Sequence, residues 1–144
     1  QIHSIGHSSG GHICGMMQVS DWDGVYGLPA NVIKSAAPCS GMYELEPVRF
    51  SHRNTYLDLT DQAAARNSSI RHIPEYGPPL TMAWGTEELD EFQRQSREFA
   101  DAWEAAGHTV ERFILDGLNH FEVAREMFNP DQPIFKNILR NIEV

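Results

Sequence analysis

Cysteine is nearly missing from this chain: Cys14 and Cys39 are the two in 144 residues. That is too few for a disulfide framework, and the pair lacks the C-x-x-C spacing of zinc and redox sites. Both are expected as buried free thiols. Positive charge is also scarce, with 11 basic against 20 acidic side chains and a net charge of −9. Nucleic-acid binding draws most of its non-specific affinity from clustered Lys and Arg, so nucleic acid is not an expected partner. No apolar run approaches the roughly 20 residues that cross a bilayer, so no membrane span is expected. Gln1 to Ile5 shows no basic stretch leading into an apolar core, hence no secretory signal is visible and a cytoplasmic location is the expectation. Repeats and low-complexity tracts are absent as well, and the length suits one domain around one hydrophobic core.

What is present is an alternation of strands and helices. QIHSI followed by Gly6 reads as a short buried strand ending in a tight turn, and the small and apolar residues from Ser9 to about Trp22 read as a helix. Asn31 to Ala37 carries Val and Ile between turn residues and reads as a strand stopped by Pro38. From Ser40 to Pro79 the prolines forbid a long element, and one short helix from Asp61 to Asn67 fits, with Thr60 as its N-cap. LTMAW, Leu80 to Trp84, is a compact apolar strand. Asp90 with Gln93 predicts a capped helix running to Ala106 and ending at Gly107, with Phe92, Phe99, Trp103 and Ala106 as its core-facing stripe. Thr109 to Leu115 reads as another strand. Pro133 to Ile142 reads as an amphipathic helix with Ile134, Phe135, Ile138, Leu139 and Ile142 on one side. This order predicts an α/β fold with a mostly parallel sheet covered by helices on both faces.

The chemistry concentrates in three places. Gly6-His7-Ser8-Ser9-Gly10 matches G-x-S-x-G between a strand and a helix start, a setting that holds the serine in a sharp turn with its hydroxyl exposed. The small residues around it relieve the crowding of such a turn. The Ser9 backbone N–H and the positive end of the following helix then face any oxyanion formed there. The plain alternative is a Gly/Ser-rich turn. His120 follows a strand and a short DGLN turn, which predicts a loop position from which it serves as general base to Ser8. Acid, serine and histidine occur along such chains in the order Ser, Asp or Glu, His. Glu88 follows the LTMAW strand and Gly85 and fits the acid position, with Glu87 as its first competitor. Asp90 is accounted for as a cap and Asp116 as a turn residue. His3, His7 and His12 cluster in sequence but straddle a strand, a turn and a helix, so no metal site is expected. His52, His72 and His108 are expected to be solvated.

GHSSGGH at the turn, Ser40-Gly41 followed by Tyr43-Glu44-Leu45-Glu46-Pro47, EFQRQS from Glu91 to Ser96, and NHFEV around His120 together resemble the kynurenine formamidases (arylformamidases) and related bacterial esterases of the α/β-hydrolase superfamily. The resemblance runs over nearly the whole chain. It implies Ser8 as nucleophile, Glu88 at the acid position and His120 as base, with Glu standing where animal-type formamidases usually carry Asp. It also implies that residues 1–144 correspond to the C-terminal half of one α/β-hydrolase domain. The other half of that domain, with a His-Gly-Gly motif supplying further oxyanion donors, lies outside this chain and becomes an expected partner.

The function expected from these readings is a serine hydrolase that cleaves a small carboxylic ester or an N-formyl aryl amide through an acyl-enzyme. No cofactor is expected. Alternatives are a kynurenine formamidase proper, or a catalytically silent interaction module on the same fold. The remaining expected partner is the small-molecule substrate, with a homo-oligomer left open. Pocket walls are expected from Ser40, Gly41 and the 42–79 segment.

Overall fold

A computed structural model describes residues 1–143. Four strands, β1 (Ile2–His7), β2 (Ile33–Cys39), β3 (Leu80–Gly85) and β4 (Val110–Leu115), form one sheet in the order β1-β2-β3-β4. Every neighbouring pair is parallel. Helix α1 (Ser9–Gln18) packs on β1 and β2, α6 (Asp90–Ala105) on β3 and β4, and α8 (Pro133–Glu143) on β2 and β3. Smaller helices fill the connections: α2 (Trp22–Tyr26), α3 (Glu46–Arg49), α4 (Asn54–Leu57), α5 (Asp61–Arg66) and α7 (His120–Glu126), with a 3-10 turn at Ser69–His72. Among the described residues no helix is long and apolar enough to cross a membrane.

Alternation along the strands divides the core. On one face Ala36, Leu80, Met82 and Trp84 meet Cys14 of α1 and Phe99, Ala100 and Trp103 of α6. On the other, Ala37, Cys39 and Ala83 meet Met127 and the Ile134 and Ile138 stripe of α8. With both faces covered, β3 is buried at all six positions, which is why LTMAW reads as an unbroken apolar run. Tyr43 stacks on Phe99 at 4.4 Å and donates its hydroxyl to the Pro38 carbonyl at 2.7 Å, fixing the chain after β2 to the core. Thr60 caps α5 as expected, accepting from Ala63 N. Gly107, at φ +88, ends α6 in the left-handed region.

Several boundaries differ from the sequence expectation, each for a local reason. Pro38 does not stop β2, which continues to Cys39. Ala36 N donates to Pro79 O and Ser40 N to Ala83 O, so the missing proline N–H removes a single rung toward β3 and the strand survives it. The helix expected from Ser9 to Trp22 is two helices. Ser20 Oγ and Trp22 Nε1 take the Met16 and Met17 carbonyls at the end of α1, and Asp21 caps α2 by accepting from Gly24 N. Asp90 is not a cap: Leu89 holds that position without a side-chain bond, and Gln93 Nε2 instead donates to the Thr86 and Glu88 carbonyls. In the expected stripes, Ala106 and Leu139 lie exposed, and Asn137 takes a buried place on α8 by bonding Thr81. His108 is not simply solvated, since its ring packs against Trp103 and Nε2 donates to Pro74 O at 2.8 Å.

Candidate active site

The C-terminal ends of the four parallel strands each deliver one polar side chain to the same spot, where open parallel sheets gather their ligands. Immediately after β1, Ser8 adopts φ 58 and ψ −119, a conformation that costs a non-glycine residue about 1–3 kcal/mol. The turn is held by Ser8 N donating to Cys39 O at 3.1 Å and His12 N to Ser8 O at 3.0 Å. Gly6 is required by space: a Cβ there would stand 2.0 Å from Gly10 O. Gly10, by contrast, has open room for a side chain, so of the two flanking glycines one relieves crowding. The Ser9 N–H starts α1 and has no acceptor among the described residues.

From the other end of the sheet comes His120. It is not on a loop but is the first residue of α7, set by a capping box in which Asn119 accepts from Phe121 N and Glu122 N while Glu122 accepts from Asn119 N. The preceding turn approaches β3 closely, because Gly85 leaves room for the Leu118 carbonyl where a Cβ would lie 2.0 Å away. His120 Nε2 stands 2.8 Å from Ser8 Oγ, and Nδ1 stands 3.0 Å from Glu88 Oε2. The Nδ1 proton faces the carboxylate, which leaves Nε2 to accept from the serine hydroxyl.

Glu88 is buried while its neighbour Glu87 is exposed. Its second oxygen, Oε1, accepts from Ser40 Oγ at 2.5 Å and from Gly85 N at 3.0 Å. Burial by itself pushes this carboxyl up, but the hydrogen bonds from His120, Ser40 and Gly85 N–H outweigh it and hold Glu88 below its usual value. Ser40, at φ 45 just past β2, is thus a support of the acid and not a pocket wall.

Two aromatic rings clamp His120, His7 at 4.5 Å and Phe92 at 4.3 Å between centroids. Phe92 therefore belongs to the site and not to the core stripe where its spacing put it. His7 is held below its usual value first by burial and then by the neighbouring His120, and its buried Nε2 has no partner. The histidines near Ser8 do not converge on one point. His3 bonds Ser35 and His12 bonds the Met42 carbonyl. Among the described residues no three His, Cys, Asp or Glu side chains are placed to hold a metal. Cys14 and Cys39 are buried free thiols, Cys14 pushed up to about 11 by burial.

Two cavities flank the site. One, of about 220 Å³, is bordered by Phe92, Leu89, Met42 and Arg53, and the other, of about 360 Å³, by Ser9, His12, Met42 and Arg53. Sequence reasoning missed three contributors, Ser40 as support for Glu88 and His7 and Phe92 as the clamp on His120. A signal existed for His7, adjacent to the serine, but none distinguished Phe92 from the core aromatics of α6.

No protein-family model matches the chain. It is 29% identical to a kynurenine formamidase of Danio rerio over 98% of its length, and 26% identical to one of Salmo salar over 96%. The chain spans about half the length of these curated relatives, 49% of each. Among solved structures, a Silicibacter protein named as a candidate thioesterase superposes with a TM-score of 0.78 at 25% identity, over 94% of this chain and 49% of the other. Thermogutta terrifontis esterase 2 superposes at 0.67 and 21%, over 99% and 52%. The fold is that of the α/β-hydrolases, with a four-stranded parallel stretch of the sheet and helices on both faces.

Proposed function

We propose that Ser8, His120 and Glu88 form the catalytic triad of a serine hydrolase that cleaves a small carboxylic ester or an N-formyl aryl amide. The carrying observation is the continuous relay from Ser8 Oγ through both His120 nitrogens to Glu88. Ser8 Oγ attacks the carbonyl carbon and its proton passes to His120 Nε2, while Glu88 stabilises the imidazolium through Nδ1–H. The Ser9 N–H donates to the resulting oxyanion. As the C–O or C–N bond to the leaving group breaks, His120 returns the proton to that group, leaving Ser8 acylated. Water then attacks the acyl-enzyme with His120 taking its proton, and the acid product departs as Ser8 regains the hydrogen.

Likeness to the two fish enzymes supports the formamidase form of this chemistry, in which the transferred acyl group is formyl. A silent interaction module fits less well, because an intact relay and a strained serine serve no scaffold purpose. We further propose that residues 1–144 make up the C-terminal half of a single hydrolase domain, completed by an N-terminal half. In support, β1 pairs on one side with β2 and exposes Ile2 and Ile5, at 48% and 40%, along its free edge. A fluorophosphonate probe tests the catalytic reading: Ser8 in the complete protein should be labelled within minutes, and peptide mapping should place the adduct on it. Absence of labelling at Ser8 would overturn the reading.

A further inference from the structure

Among the described residues three aromatic rings meet the His120 imidazole, and they differ in what holds them. Phe121 is the next residue of α7 and 83% exposed, so it moves with His120 and fixes nothing. Phe92 lies in the first turn of α6, at 4.3 Å between centroids. His7, at 4.5 Å, is the last residue of β1, and its backbone is registered on Cys39 of β2. Of the three it is the one that stands on the sheet, and it directly precedes Ser8. One short run of backbone therefore carries both the nucleophile and a support for its base. A shift of that turn moves the two together, which preserves the 2.8 Å separation of Ser8 Oγ from His120 Nε2.

The surroundings of His7 favour its neutral form. Its Nε2 is buried with no partner, and a protonated imidazole carries N–H on both nitrogens, so the charged ring would bury an unpaired donor. Burial, and then the His120 ring, hold His7 below its ordinary value. Glu88 pulls the other way, but its Oε2 is committed to His120 and its Oε1 to Ser40 and Gly85 N–H. On the elements packed against β1, Cys39 is a buried thiol raised by burial, Cys14 bonds Ser4 and His12 bonds the Met42 carbonyl. None of these offers His7 a compensating negative charge. We propose that His7 is a positioning residue of the reaction: its uncharged ring steadies His120 against Ser8 Oγ and leaves the single positive charge of the pair to His120. The inference rests on the triad reading of Ser8, His120 and Glu88 and extends it to a fourth side chain.

The test uses the complete protein and a p-nitrophenyl ester. His7→Ala should lower kcat by about tenfold to a hundredfold, the cost of a small misplacement of a catalytic group, and leave KM within about twofold. His7→Phe restores an uncharged ring at that place and should recover most of the loss. NMR titration supplies a readout that needs no turnover. His120→Gln removes the competing charge, so the His7 ring should titrate nearer its ordinary value than in the parent. Undiminished kcat in His7→Ala, a loss that falls on KM, a loss that His7→Phe does not repair, or a His7 titration unmoved by His120→Gln would each overturn the proposal. Should His7→Ala fail to fold, the titration decides. Because the titration reads the two rings alone, failure of Ser8 to label with fluorophosphonate would count against the triad reading and leave the coupling of the rings measurable.

Discussion

Replacing Glu88 with Gln tests the relay at its most constrained point. The two carboxylate oxygens have different tasks: Oε1 receives hydrogens from Ser40 and Gly85 N–H, and Oε2 receives one from His120 Nδ1. A glutamine has one acceptor oxygen. Two donors converge on the Oε1 position, so the amide oxygen must stay there and the amide nitrogen must face His120. Nδ1 then has to accept, which moves the ring proton to Nε2 and points it at Ser8 Oγ. In that tautomer His120 cannot take the serine proton. An acid-to-amide exchange that imposes the wrong tautomer costs about 10⁴ in kcat, or roughly 5 kcal/mol of barrier. Flipping the amide would set its NH₂ against the Gly85 N–H at 3.0 Å, so the variant has no easy escape. The assay is kcat and KM for a p-nitrophenyl ester with the complete protein, run beside Glu87→Gln. Glu87 is exposed, and its loss should change kcat less than about threefold, within the range of ordinary surface substitutions. A Glu88→Gln enzyme within tenfold of the parent, or equal losses at both positions, would refute the reasoning.

Ser8→Ala should lower turnover by about 10⁴ to 10⁶ while the protein stays folded. Ser8→Gly, equally inactive, should be about 1 kcal/mol more stable than Ser8→Ala in urea denaturation, because φ 58 no longer opposes a Cβ. Ser40→Ala removes a bond that lowers the Glu88 carboxyl, so Glu88 should titrate nearer its usual value and kcat should fall about tenfold, read from NMR titration and steady-state rates. His7 is depressed in the folded chain, so unfolded chains bind more protons just below its ordinary pKa near 6.5; its contribution is intact above that pH and is lost as pH falls toward the folded value. His7→Gln should therefore flatten the fall in urea midpoint below pH 6.5. Residues 1–144 expressed alone should be poorly soluble and unlabelled by fluorophosphonate, and co-expression with an N-terminal half should restore both; a monomeric, active isolated chain would count against the half-domain proposal.

Much of this arrangement was legible because its signals are local. The β1 turn α1 sequence carries its own turn chemistry at Gly6 and Ser8, and LTMAW can be little else than a buried strand. The choice of Glu88 over Glu87 followed from the family resemblance, and the opposite exposures of these neighbours fit it. What escaped depends on where elements end relative to the sheet. Phe92 shares the helical spacing of Phe99 and Trp103, yet it lies in the first turn of α6, close to the strand ends, and so meets His120 and not the core. Asn119 and Glu122 did carry a capping-box pattern, and it would have placed His120 at a helix start. Pro38 misled because a proline is read as a strand terminator, whereas one lost rung in a sheet anchored on both sides is affordable.

The pattern of strain follows from the same geometry. Ser8 and Ser40 are two of the three non-glycine residues with positive φ among those described, and they follow adjacent strands β1 and β2. Both conformations turn a hydroxyl back over the strand ends, one toward His120 and the other toward Glu88. Neither could persist on a loop that was free to relax, since about 1–3 kcal/mol per residue favours leaving that region. Ser8 N is tied to Cys39 O and Ser40 N to Ala83 O, so each strained residue continues the hydrogen-bond ladder of a neighbouring strand. The rigidity of three parallel strands thus fixes Ser8 and the Ser40 support of Glu88 with backbone bonds. Orientation of His120 is left to weaker means: a capping box, two ring contacts and the Glu88 bond. In the proposed mechanism His120 has to face first the serine and then a leaving group and a water, and side-chain contacts in place of a strand ladder hold it for that task.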